Sequence, residues 1–129
     1  MATYIARPLS RPRLETLSPA DVRFIEAHFH ADSVEMTIDD QIIEYSLINE
    51  IEVAVAARQR SPAGWFVKKI LYGGDERFHV AVYYAKHHEA VLPNLSKAAA
   101  QYVLGNIAFY SRNPIRYKGP EDFIATTES

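Results

Sequence analysis

Between Val34 and Tyr84 the apolar residues keep returning at every second position. A period of two turns one side of the chain inward and the other outward, which is the geometry of a half-buried β-strand. Val34, Met36 and Ile38 alternate with Glu35 and Thr37, and Asp39-Asp40 makes the turn that follows. Ile43, Tyr45 and Leu47 share one face of the next strand, and Ile51, Val53 and Val55 alternate with Glu50, Glu52 and Ala54. The run 41–58 exceeds one ordinary strand, so Asn49-Glu50 is expected to mark a bend or bulge. Arg58 to Gly64 reads as a loop on its Pro and Gly content. A strand carrying Phe66, Ile70 and Tyr72, with Trp65, Val67 and Leu71 opposite, then leads through Gly73-Gly74 into a hairpin. Phe78, Val80, Val82 and Tyr84 form the most regular strand.

On either side of this region the period changes. Ser18-Pro19-Ala20-Asp21 combines a capping serine, a proline suited to the first helical position and an acid three residues after the cap. With Val22, Ile25 and Phe29 on one stripe it predicts a short helix over 19–29. A strand stays open there, because Val22 and Phe24 alternate with Arg23. A long helix is expected from about Pro93 to Tyr110. One face gathers Leu95, Ala98, Ala99, Tyr102, Phe109 and Tyr110, and Val103, Leu104 and Ile107 form a second apolar stripe. Such coverage requires two partners: the sheet, and then the arm, the tail or another chain. Residues 1–17, with Pro8, Pro12 and three arginines before Glu15, read as an extended arm, and 125–129 as a fraying tail. The fold expected is a single α+β domain over 1–129. An antiparallel meander of about five to six strands, preceded by the short helix, carries the long helix packed on it.

Composition narrows the function classes. The chain has 129 residues, a net charge of −2 and no cysteine, which excludes disulfides, thiolate metal sites and a cysteine nucleophile. The first residues lack the apolar run of a secretory leader, and no stretch approaches a membrane span. A cytoplasmic chain without membrane insertion is the expectation.

The residues that carry chemistry are scattered. Glu26, His28 and His30 would meet as metal ligands on a strand but fan apart on a helix, and His87-His88-Glu89 stands at a strand end. Surface histidines are the preferred reading, so no metal and no cofactor are expected. There is no nucleophile elbow, and Glu44, Glu50 and Glu52 read as a solvated sheet face, so no catalytic residue is assigned. Arg7, Arg11 and Arg13 could meet nucleic acid, but the acids at 50–52 and the net negative charge disfavour it. The eight tyrosines are the informative excess, and suit either an interface or a polar-rimmed pocket. The expected interface is Trp65, Tyr102, Leu104, Ile107 and Tyr110, with a homodimer formed through the second helical stripe or a protein partner. The alternative is a ligand pocket between sheet and helix, with Tyr45, Tyr84 and His79 as its lining.

The segments QIIEYSLINEIEVAVAAR and FVKKILYGGDERFHVAVYY, followed by a closing helix, resemble bacterial PH-like domains over residues 33–110. The resemblance implies a binding scaffold that often self-associates and is not catalytic. It implies a seven-stranded fold, to which the helix at Ser18 would be an addition, and no site residues.

Overall fold

The computed structural model describes residues 3–56, 77–120 and 126–128. The strands among them are β1 (Thr3–Ile5), β2 (Phe29–Ala31), β3 (Glu35–Ile38), β4 (Gln41–Glu44), β5 (Ile48–Val55), β6 (Phe78–Tyr84), β7 (His88–Leu95), β8 (Arg116–Lys118) and β9 (Thr126–Glu128). The helices are α1 (Pro19–His28) and α2 (Lys97–Tyr110). The α+β class is as expected, but the sheet is no simple meander. There are two sheets. One has the order β7-β6-β5-β8-β1-β9, and the other is β2-β3-β4. The larger is mixed, because β8 runs parallel to β5, pairing Glu50 with Arg116 and Glu52 with Lys118. A parallel neighbour requires a long crossover, and here the connection between β5 and β8 contains β6, β7 and α2. Residues 126–128, within the tail expected to fray, pair with β1.

The long alternating run is interrupted where it changes sheet. Tyr45–Leu47 forms a single tight helical turn between β4 and β5, and the pairing of β5 with β6 is irregular between Ile48 and Glu50. The bend therefore starts before Asn49, and the bulge falls at Asn49 itself. Side chains alternate as the period demands. Ile51, Val53, Val80 and Val82 are buried, while Glu52, His79, Ala81 and Tyr83 take the other face.

Ser18 caps α1 by accepting the Asp21 N–H at 3.2 Å, and the proline follows it at the first helical position. The helix ends at His28, one residue short of the predicted end, and Phe29 opens β2. The second helix starts four residues later than predicted. Pro93 lies in β7, at an edge of the larger sheet among the described strands, a place that tolerates its missing N–H. Pro93 and Asn94 together oppose the single residue His79, which makes a bulge, and Asn94 takes the left-handed φ of 60° there. The N–H of Asn94 donates to His79 Nδ1 at 3.0 Å. Ser96 then caps α2 by accepting the Ala99 N–H at 3.1 Å, and donates to Asp21 Oδ2 at 2.7 Å. One carboxylate thereby ties the starts of both helices together.

Only part of the first stripe is core: Leu95 and Ala99 are buried as expected, whereas Ala98 is exposed and Tyr102, Phe109 and Tyr110 are half-buried. Val103, Leu104 and Ile107 are each 0% exposed, packed where α2 meets β6, β7 and β2. Tyr102 lies on the opposite, half-buried side with Gly105 and Phe109. The second partner of the helix is thus the small sheet, assisted by the arm. The outward row invoked for a homodimer is core. No helix among the described residues is long and apolar enough to cross a membrane.

Candidate functional site

The outer side of α2 is covered by the arm. Arg7 sits over the Phe109 ring, 5.8 Å from its centroid. Arg11 donates to the Tyr110 hydroxyl at 3.3 Å. Pro12 lies so close to Gly105 that a Cβ there would stand 2.7 Å from the proline Cγ. The glycine admits the arm onto the helix. Leu14 and Leu17 continue the contact by packing on the core. Between Arg7 and Pro12 the arm bows outward at Pro8-Leu9-Ser10, and the Leu9 side chain is fully exposed. The loop is pinned on both flanks, so an apolar side chain stands out between two anchored arginines.

Beyond Pro12 the arm encloses a slot of about 550 Å³ with α1, β2 and α2. Arg11 and Arg13 are at the arm side, Glu26 and His30 at the α1–β2 side, and Tyr102 and Asn106 come from α2. Tyr102 meets Phe29 edge to face, with centroids 6.5 Å apart. Burial raises the Tyr102 phenol above its ordinary pKa, against the lowering field of Arg11, so it stays a neutral donor and acceptor.

The residues expected to line a ligand pocket are not brought together. Tyr84 shares the core-side face of β6 with Val80 and Val82, whereas His79 is on the opposite face and serves the β7 bulge. The Tyr84 hydroxyl donates to Gln41 Oε1 at 2.5 Å, and its ring stacks on His88. Tyr45 lies elsewhere, stacked on Tyr110, with its hydroxyl donating to the Asp32 carbonyl at 2.6 Å. Burial, its largest influence, raises the Tyr45 phenol strongly, so this bond is held through the neutral form. Of the expected interface residues, Leu104 and Ile107 are core and cannot meet a partner. Tyr102 and Tyr110 are half-buried beneath the arm, and Trp65 lies outside the described residues.

The fold divides His28 from His30. His28 closes α1 and its Nδ1 lies 2.6 Å from Asp39 Oδ1, while His30 on β2 has its Nε2 3.7 Å from Asp32 Oδ2. Among the described residues no three His, Asp or Glu side chains are grouped as metal ligands. Sequence reasoning missed Asn106 and Gly105. Each breaks the apolar run from Tyr102 to Tyr110, and that was the available signal. Comparison with family models, curated proteins and solved structures returns no match to this chain.

Proposed function

We propose that this chain is a non-catalytic recognition module that binds a protein partner through the arm on α2. The observation that carries the reading is Leu9, fully exposed on a loop held at both ends by Arg7 on Phe109, Arg11 on Tyr110 and Pro12 on Gly105. A pre-ordered apolar anchor loses little conformational freedom on binding. Tyrosine and arginine beside it are the residue types that dominate interface energetics. The partner that fits offers an apolar pocket for Leu9 with carboxylates at its rim to meet Arg7 and Arg11. The PH-like resemblance of residues 33–110 points to the same non-catalytic class. Several groups that could have served catalysis have structural work instead: His79 accepts at the bulge, Tyr45 ties the β2–β3 turn to the turn after β4, and Asp21 joins the helix starts. Two of the three arm arginines are engaged by aromatic side chains rather than lined up as a basic run, which favours protein over nucleic acid.

The test compares the wild-type chain with Leu9→Ser and Arg11→Ala, after showing that both variants melt cooperatively. Each is used as bait in cross-linking from native extract, and the recovered partner is then purified and titrated directly. The reading requires direct binding that Leu9→Ser weakens by about tenfold or more. Binding that both variants leave unchanged overturns it, as does retention of nucleic acid with a steep salt dependence.

A further inference from the structure

The slot inward of the arm has a lining that, apart from Arg11 and Pro12, recognition through Leu9 does not use. Asn106 is its most telling member. It is 3% exposed, and every other buried position of α2 is apolar. Its Nδ2 donates to the Tyr102 carbonyl at 2.8 Å, which uses donor capacity and leaves the carboxamide oxygen able to accept. The residue is buried, but its oxygen is not sealed in the core without a partner, so it is open to the slot that Asn106 lines. Asn106 lines the slot, so a ligand can supply that donor.

The rest of the lining carries both signs. Arg11 spends one donor on Tyr110 and keeps others, and Arg13 is exposed beside it. Glu26 faces the same space from α1. Ile25 and Phe29 supply a buried apolar wall next to Tyr102. A volume of about 550 Å³ is within the range of small-molecule sites and exceeds what a single bound anion would fill.

We propose that this slot binds a free zwitterionic amino acid with an apolar or aromatic side chain. Its carboxylate lies at Arg11 and Arg13, its ammonium group between Glu26 and the Asn106 oxygen, and its side chain along Phe29 and Tyr102. The proposal goes beyond protein recognition and shares with it only the arm residues Arg11 and Pro12.

The test titrates the ¹⁵N-labelled full chain with L-phenylalanine and three analogues. Phenylpropionate lacks the amine, phenethylamine lacks the carboxylate, and N-acetylphenylalaninamide lacks both charges. The expected result is saturable shifts confined to residues 11–15, 25–31 and 102–106, with phenylalanine tighter than either singly charged analogue by about tenfold. Arg13→Gln and Glu26→Gln, both at exposed positions, each weaken phenylalanine by about tenfold. Leu9→Ser leaves the titration unchanged, so failure here is separate from failure of the recognition reading. The proposal is overturned by no saturable shift, by shifts elsewhere in the chain, or by equal binding of the uncharged analogue.

Discussion

Replacing Gly105 with alanine sets two effects of known sign against each other. In the interior of a helix, alanine is favoured over glycine by about 1 kcal/mol. At this site, however, the new methyl would stand 2.7 Å from Pro12 Cγ, where ordinary carbon contacts need about 3.5–4 Å. The proline ring is rigid, so the arm itself must move by roughly 1 Å, loosening the Arg11 contact with Tyr110 and the packing of Leu14. Overpacking of this kind costs about 1–3 kcal/mol. The difference predicts that Gly105→Ala destabilises the chain by about 1 kcal/mol, opposite in sign to helix propensity alone. Pro12→Ala removes Cγ and Cδ and leaves a Cβ at an ordinary 3.8 Å. In that background Gly105→Ala becomes stabilising by up to about 1 kcal/mol. The four proteins form a double-mutant cycle, read by urea unfolding at constant m, with an expected coupling of about 1–2 kcal/mol. Stabilisation by Gly105→Ala in the wild-type background, with no coupling to Pro12, would refute the seating of the arm on α2.

Other substitutions probe the remaining contacts. Leu104→Glu places a charge at a fully buried site and is expected to lose the folded state by calorimetry rather than yield a well-behaved monomer. Ser96→Ala removes the α2 cap and the donor to Asp21, with an expected loss of about 1–2 kcal/mol in urea. Ala85→Gly relieves a left-handed φ of 54° in the β6–β7 turn and should raise stability by about 1 kcal/mol. The N–H groups of Glu35 and Val34 hold the Asp32 carboxyl below its ordinary range. Its folded pKa is depressed, so its stabilising effect is present above the unfolded pKa and lost as pH falls through the folded one. Asp32→Asn should therefore flatten the acid limb of a stability-against-pH curve, and an unchanged limb would contradict the assignment.

What the sequence disclosed follows the range of the interactions involved. The Ser18 cap, the Asp39-Asp40 turn and the alternation in β6 depend on neighbours a few residues apart, and each is where the pattern placed it. Pro93 misled, because a proline ahead of an apolar stretch suits a helix start as well as an edge-strand bulge. Only pairing with Phe78 and Val80 distinguishes the two. The choice between the two stripes of α2 was not local either. Both are apolar, and the contacts with β2, β6 and β7 decide how much of each is buried. The parallel pairing of β5 with β8 has no local signature at all. Arg11 and Arg13 were visible as an arm but not as one side of a slot, since their partners on α2 lie about ninety to a hundred residues onward. Gly105 held a usable hint, because a glycine inside a strongly apolar helix often marks a close approach.

The arm is fixed on α2 and so presents Leu9 in one orientation. Backbone ¹⁵N relaxation measures this directly. Order parameters for the N–H groups of Arg7, Leu9, Ser10 and Arg11 should match those of α2, at about 0.85, with Leu9 no looser than the β6–β7 turn. Values below about 0.6 at Arg7, Leu9, Ser10 and Arg11 would describe a free tail, and would contradict the arm as an ordered recognition surface.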